Sequence, residues 1–418
     1  MLTGMAQNDA LPGFCTWLDD SNDVTTEMMR LAGKAGMISL AGGLPAPELY
    51  PMKAIESATK RALVRWGSRA LEYGPITGFP ALREAIATRM SEEIGQRIGT
   101  DNVLLTAGSM QALDGIGKIL IEPGETIIAQ HPTYMGALDA WRPRTPHYQQ
   151  FTWDFEDKGF LAAADRAKFI YTVPNYSNPT GVLVGQQDRR ALLALVREKR
   201  IWLVEDDPYS CMQLDGNSGP SILALDAADR NEDIYSGPVI YLGTLSKSLA
   251  PGFRVGWVVG NPEVIRALTL AKQCTDMTGS MFSQAVALEL IEQKVESQMI
   301  DGLLSTYRER RNALCAALST HLGDWFEWEI PSGGMFVWLK AKRADLDTTR
   351  LYRVAIEHNV MFCPGSAFDH AGKMHTTMRL NFTRSAPDVL EEGVRRLARA
   401  LEDSLSKLAS GSSRLAVQ

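Results

Sequence analysis

VIYLGTLSKSLAPGFRVG, residues Val239 to Gly256, decides how the rest of this chain is read. Val239 to Leu242 is a short run of β-branched, aromatic and aliphatic residues with the length of a buried strand. Gly243 ends the run, and the turn Thr244-Leu245-Ser246-Lys247 follows. A loop of small residues then leads to Arg254, seven residues beyond the lysine. A lysine just past a buried strand, flanked by hydroxyls and backed by an arginine, is placed to form an imine and to hold a phosphate. A solvated loop lysine reads the same way in isolation, so the other parts of such a site must lie elsewhere in the chain.

Similar runs flank this stretch. Val103–Thr106 stops at Ala107-Gly108, and Ser109 reads as the cap of a helix from Met110 to Leu120. That order of strand, glycine, hydroxyl and helix aims free N–H groups and a positive dipole end outward, which suits a phosphate. An ordinary strand-to-helix turn has the same letters. Thr126–Ala129 ends at His131-Pro132-Thr133-Tyr134, and Phe169–Val173 ends in Pro174 to Gly181. Ile201–Val204 ends in Glu205-Asp206-Asp207-Pro208-Tyr209, and Gly256–Val259 follows the opening stretch. Near-continuous apolar strands, separated by helices such as Asp188 to Lys199, predict an α/β fold with a mainly parallel sheet covered on both faces. Ser109, Tyr134, Asn178, Asp206, Tyr209 and Lys247 each fall a few residues past the carboxyl end of a strand. Open α/β sheets bind ligands at that edge.

The remaining chain reads as helices at 23–35 (capped by Asn22 or Asp23), 52–66 and 79–98. Between the first two, Ile38-Ser39-Leu40 runs into Ala41-Gly42-Gly43-Leu44-Pro45, a loop that either approaches a ligand closely or simply turns. Beyond Pro262 the pattern is helical to about Leu322, with a long helix at 282–317 broken or bent near Lys294. Strands at 335–339, 360–362 and 378–382 and an amphipathic helix at 387–408 make a smaller α+β part, completed by N-terminal residues. Ser410 to Gln418 reads as a loose tail. We expect an N-terminal arm and part of the small domain over 1–65, a large domain over 66–310 and the rest of the small domain over 311–418.

Composition excludes several classes. The 418 residues are 45% hydrophobic and carry a net charge of -6, which gives no basic footprint for nucleic acid. No apolar run approaches the roughly 18–20 residues of a membrane span, and the N-terminus lacks the basic start and apolar core of a secretory signal. The five cysteines are scattered without a CxxC pair, so no structural zinc or disulfide framework is expected, and a cytoplasmic setting is.

A buried carboxylate is costly unless paired. Glu205-Asp206-Asp207, at the end of an apolar strand, is therefore either a turn with a helix cap or a carboxylate facing a cation. A protonated pyridine nitrogen would be such a cation. Together with an imine-forming lysine and a phosphate site at a helix N-terminus, it specifies pyridoxal 5′-phosphate.

The chain resembles the class I aminotransferases among the fold-type I pyridoxal-phosphate enzymes, on the branch with 2-aminoadipate and kynurenine aminotransferases. The resemblance is carried by SLAGGLP (Ser39–Pro45), Tyr73-Gly74 with Gly78 and LREA (Leu82–Ala85), TAGSMQAL (Thr106–Leu113) and PTY (Pro132–Tyr134). It continues through PNYSNPTG (Pro174–Gly181), EDDPY (Glu205–Tyr209), TLSKSLAPGFRVGW (Thr244–Trp257), PSGGMFVWL (Pro331–Leu339) and MRLNF (Met378–Phe382). It implies a seven-stranded sheet in the large domain, a homodimer with shared active sites, and amino-acid and 2-oxo-acid substrates.

The resemblance also implies residue roles. Lys247 would link covalently to the cofactor's aldehyde and then carry the proton at the substrate Cα. Asp206, which stands three residues before the tyrosine as the family's acid does, would face the ring nitrogen. Tyr209 and Asn178 would bond the ring oxygen, and Tyr134 would stack on the ring. Gly108, Ser109, Met110 and Gln111 would surround the phosphate with Thr244, Ser246 and Arg254, and Tyr73 would reach the partner's phosphate. Arg379 would take the substrate α-carboxylate as a bidentate pair, with Gly43 and Asn178 beside it.

Relatives acting on acidic side chains can use a basic residue before the AGGLP loop. Residues 1–29 contain no Lys or Arg, and Val24 stands near the corresponding place. A neutral aliphatic or aromatic amino donor is therefore expected, with 2-oxoglutarate or pyruvate as acceptor. Racemisation or β-elimination on the same scaffold is the alternative. A regulator's sensor domain is a further one, disfavoured because the short acidic segment leaves no room for a DNA-binding part.

Overall fold

A computed structural model describes residues 13–18, 24–230 and 232–415. Ile38–Ser39 forms β1. The apolar runs then become one sheet: Val103–Thr106 (β2), Thr126–Gln130 (β3), His147–Phe151 (β4), Phe169–Thr172 (β5), Trp202–Asp206 (β6), Val239–Thr244 (β7) and Gly256–Val259 (β8). Its order is β2-β8-β7-β6-β5-β3-β4. All neighbours are parallel except β8, which runs antiparallel to both β2 and β7. This is the seven-stranded, mainly parallel sheet that the resemblance implies. A second sheet has the order β12-β13-β10-β9, from Phe326–Trp328 (β9), Phe336–Ala341 (β10), Cys363–Pro364 (β12) and Thr377–Asn381 (β13). Val360–Met361 (β11) pairs in parallel with β1, which ties the N-terminal segment to this smaller, strand-rich part.

Strands β2, β5 and β8 are buried along their whole length, as apolar runs covered on both faces must be. Two strands escape a sequence reading. His147–Phe151 is polar because it is an edge strand with one neighbour, and Phe326–Trp328 is only three residues long. The helix expected to reach residue 98 ends at Ile94, because Gly95 adopts the left-handed conformation (φ 70°) and its N–H returns to the Ser91 carbonyl. The long helix expected at 282–317 is two, Met281–Glu292 and Val295–His321, separated where Lys294 turns left-handed at φ 54°. Its place near Lys294 is as expected. The first helix is Val24–Ala32, and the Asn22 and Asp23 caps lie outside the described residues. The final helix runs on to Leu415, past the Ser410 where the sequence reads as loose.

Helix Ser109–Leu120 is docked tightly to the sheet. The Trp141 indole N–H donates to the Leu113 carbonyl at 2.9 Å, and its ring meets Phe169 and Tyr171 edge-on. A Cβ on Gly117 would lie 2.8 Å from the Trp141 ring, so only glycine permits this approach. Among the described residues no helix is long and apolar enough to cross a membrane, and no group of three or more His, Cys, Asp or Glu side chains could hold a metal ion.

Candidate active site

Sheet register builds the site. Gly256 lies opposite Thr106 on one side and Thr244 on the other. The turns that follow β2 and β7 and the arginine that precedes β8 therefore meet at one edge. Gly108 adopts φ +84° and caps helix Ser109–Leu120, and a Cβ on it would sit 2.4 Å from the Arg254 guanidinium. Arg254 is itself left-handed at φ 52°, which turns its side chain back so that Nη2 donates to the Ala107 carbonyl at 2.7 Å. The Thr244 hydroxyl donates to Ser246 Oγ at 2.9 Å. Ser109 is the first helical residue rather than the cap expected from sequence, and its buried hydroxyl has no partner among the described residues. Hydroxyls, a guanidinium and a helix N-terminus thus face one space.

That space is a cavity of about 410 Å³ at the carboxyl edge of the parallel strands. Gly43, Ser109, Met110, Tyr134, Asn178, Asp206, Tyr209, Thr244, Ser246, Lys247, Arg254 and Arg379 all line it. Gly108 and Gln111 do not. Gly108 stands behind Arg254, and the Gln111 amide oxygen accepts the Ala107 N–H at 2.8 Å, which pins the turn. Tyr73 is also off the wall, 83% exposed.

The three consecutive carboxylates divide the work, because strand β6 continues through Asp206 instead of stopping at Val204. Glu205 Oε1 and Oε2 accept the Ile222 and Leu223 N–H groups at 2.8 Å, capping helix Ile222–Arg230. Burial, then the neighbouring Asp207, pushes Glu205 up to about 7. Asp207 accepts from the Tyr241 hydroxyl and the Ser210 N–H, behind the site. Asp206 alone opens on the cavity, 2% exposed. Its Oδ2 accepts from the Tyr171 hydroxyl at 2.9 Å, and its Oδ1 has no partner among the described residues. Burial raises it to about 7, against the lowering effect of Tyr171. Glu205→Ala is expected to cost about 2–4 kcal/mol in chemical unfolding, for two orphaned buried N–H groups, with substrate KM retained. Lost activity at unchanged stability would exchange its role with that of Asp206.

Lys247 Nζ donates to the Gly43 carbonyl at 2.7 Å. Burial, and then the Arg379 and Arg254 charges, depress its ammonium to about 8. The Arg379 guanidinium is buried between the rings of Phe336 and Phe368, 4.1 and 4.8 Å from their centroids. It donates to Asn178 Oδ1 and to the Ala41 carbonyl at 2.5 Å each, and its Nε is left without a partner among the described residues. Burial pushes the Tyr134 hydroxyl up to about 12 and Tyr209 above its ordinary value, so both stay neutral donors.

Unpartnered buried polar atoms call for a ligand. Asp206 Oδ1 wants a donor, whereas Ser109 Oγ beside a helix N-terminus and Arg379 Nε suit anions. A flat molecule with a protonated ring nitrogen and a phosphate, bound beside a carboxylate, satisfies all three.

Sequence reasoning missed several groups. Helix Val24–Ala32 contributes Thr25, Met28 and Met29 to the wall, whereas Val24 is not part of it. Leu44, Met135, Asp139, Met361 and Arg384 also line it. Their methionine richness was the available signal. Two buried side chains set the Asn178 loop from beneath. Gln130 Oε1 accepts from the Thr172 hydroxyl and the Val173 N–H, while its Nε2 donates to Ser177. Arg189, fully buried, donates to the Val184, Pro174 and Pro220 carbonyls and to Asn175 Oδ1.

A family model described as aminotransferase class I and II matches residues 37–397. An aromatic-amino-acid aminotransferase of Thermococcus litoralis is 36% identical over 391 residues, covering 91% of this chain and 92% of the relative. The crystal structure of a multiple substrate aminotransferase of Thermococcus profundus superposes with a TM-score of 0.85 at 34% identity, covering 94% of this chain and 98% of that one. That of an α-aminoadipate aminotransferase of Thermus thermophilus, complexed with N-(5′-phosphopyridoxyl)-L-leucine, gives 0.82 at 34% identity, covering 94% of this chain and 100% of that one.

Proposed function

The chain belongs to the class I and II aminotransferases, enzymes dependent on pyridoxal 5′-phosphate, and from that premise we propose that it moves the amino group of a large neutral L-α-amino acid, aliphatic or aromatic, to a 2-oxo acid such as 2-oxoglutarate or pyruvate. The observation that carries the donor class is the apolar part of the cavity wall. Met28, Met29, Leu44, Met135 and Met361 form it, and none of the residues by which helix Val24–Ala32 lines the cavity, Thr25, Met28 and Met29, is a cation. Thioether and aliphatic surface receives apolar side chains and fits several shapes, because methionine is unbranched and flexible.

In this reading each wall residue has a task. Ser109, Thr244, Ser246, Arg254 and the N–H groups at Gly108 to Met110 bind the phosphate, with the Gln111 amide bracing the turn. Asp206 holds the proton of the ring nitrogen. Asn178 and Tyr209 donate to the ring oxygen, and Tyr134 covers the ring face. Arg379 clamps the substrate α-carboxylate, its planar fork oriented by Phe336, Phe368 and Asn178, which fixes the direction of the Cα–H bond. Lys247 takes that proton as a neutral amine, which its depressed pKa favours, and returns it. The bound cofactor supplies the electron sink that makes this proton acidic. Tyr73, exposed in one chain, serves the partner subunit of a homodimer.

A panel of donors and acceptors tests this reading. Phenylalanine, leucine and methionine are expected to give kcat/KM values at least equal to that of 2-aminoadipate, with pyridoxamine phosphate formed from the amino acid alone. Turnover of 2-aminoadipate far above the neutral donors would overturn the donor class. Racemisation or elimination without pyridoxamine phosphate would overturn the reaction.

A further inference from the structure

Arg384 is a second arginine on the cavity wall, five residues beyond Arg379. The end of strand β13 sets it in place. Asn381 Oδ1 accepts both the Thr383 and Arg384 N–H groups, at 3.0 and 3.1 Å, and the Thr383 hydroxyl donates to the Leu44 carbonyl at 2.9 Å. The backbone of Arg384 is thereby fixed beside Leu44, which also lines the cavity, and its exposure sets it where the cavity meets solvent, the mouth. Its guanidinium is exposed and forms no ion pair with the described residues. Glu48, which forms its ion pair with the buried Arg310, feels the Arg384 charge only at longer range.

The carboxylates that line the cavity form no ion pair with it among the described residues. Asp139 is bridged to Arg142 at 3.0 Å, and Asp206 accepts from Tyr171 and faces Lys247. The mouth therefore carries a cation with capacity for one more anion. The proposed reaction needs such a capacity in its second half only. A neutral donor brings one carboxylate, for Arg379, whereas a dicarboxylic 2-oxo acid brings two, and an unpaired carboxylate against the methionine wall would be poorly tolerated.

We propose that Arg384 receives the distal carboxylate of a dicarboxylic 2-oxo acid, and so lets one cavity serve an apolar donor and an acidic acceptor in turn. This rests on the aminotransferase reading above. The donor side chain lies along the methionines, and the acceptor's far carboxylate extends to the mouth, where Arg384 meets it still partly hydrated. An exposed guanidinium gives modest discrimination that salt weakens.

The test uses the holoenzyme with phenylalanine as donor and either 2-oxoglutarate or pyruvate as acceptor. Arg384→Gln is expected to lower the ratio of kcat/KM for 2-oxoglutarate to that for pyruvate about tenfold, through KM for 2-oxoglutarate, with Arg384→Lys recovering part of the loss. Raising ionic strength is expected to raise the wild-type KM for 2-oxoglutarate more than that for pyruvate. Substitution leaves the backbone bond to Asn381 in place, so folding is retained. An unchanged ratio in Arg384→Gln, or equal losses on both acceptors, overturns the proposal while leaving transamination standing. A wild type that transfers no amino group from phenylalanine, leucine or methionine overturns the underlying reading instead.

Discussion

Lys247→Ala is expected to abolish transamination, lowering kcat by at least ~10⁴-fold, the upper end of what a positioned acid–base group contributes, because the proposed role of Lys247 makes it the covalent anchor as well. The side chain faces the cavity and, among the described residues, bonds only the Gly43 carbonyl, so the protein should keep its fold. Borohydride treatment followed by peptide mapping should find cofactor on Lys247 in the wild type and none in the variant. Retained activity, or a reduced adduct in the variant, would refute the assignment.

The same lysine gives a pH prediction. Its ammonium is depressed from the ordinary 10.5 to about 8 by burial, then by Arg379 and Arg254. Only the neutral amine attacks an aldehyde, so cofactor uptake by the apoprotein should accelerate as pH rises and level off above about 8. A midpoint near the ordinary lysine value would refute this electrostatic account. Between about 8 and 10.5 the folded apoprotein binds fewer protons than the unfolded chain. Its stability therefore rises with pH through that window as the cost of a buried ammonium disappears.

Asp206→Asn is expected to reduce kcat by about 10²- to 10⁴-fold, the equivalent of the ~3–5 kcal/mol lost when one partner of a buried charge pair is removed. Asparagine keeps the size of the side chain and can still accept the Tyr171 hydroxyl, but cannot hold a proton on a ring nitrogen. Single-turnover rates with phenylalanine measure the loss, and a reduction of less than tenfold would remove Asp206 from the mechanism. Without cofactor the sign reverses. Burial raises Asp206 from 3.8 to about 7, so the folded state binds more protons than the unfolded chain across that interval. The wild-type apoprotein thus loses stability as pH rises towards 7, and Asp206→Asn should lack this loss.

Much of this arrangement is legible in the sequence. A buried strand carries its own signature, a continuous apolar run closed by glycine or by a hydroxyl. A parallel sheet then brings the ends of those runs to one edge whatever the loops contain. Lys247, Asn178, Tyr209 and Ser109, each a few residues beyond a run, come to line one cavity in that way. The polar edge strand His147–Phe151 was not, because one neighbour and an open face remove the apolar signal.

Lys247 at the end of its strand follows from local pattern alone, as does the cluster of polar residues around it. The resemblance singles out Asp206 among three adjacent carboxylates, and the tertiary structure supplies the physical reason that it is the one facing the cavity. Strand β6 runs two residues further than its apolar letters, and alternation along the strand sends Glu205 to a helix N-terminus and Asp206 to the site. Only the tertiary structure decided the side-chain pocket, where Met28 of an N-terminal helix, Met135 and Met361 share a wall. The Arg379 guanidinium donates to the Ala41 carbonyl, 338 residues earlier in the chain. Periodicity encodes the type and facing of each element, but which distant elements touch is set by packing of the whole core, and no local stretch contains that information.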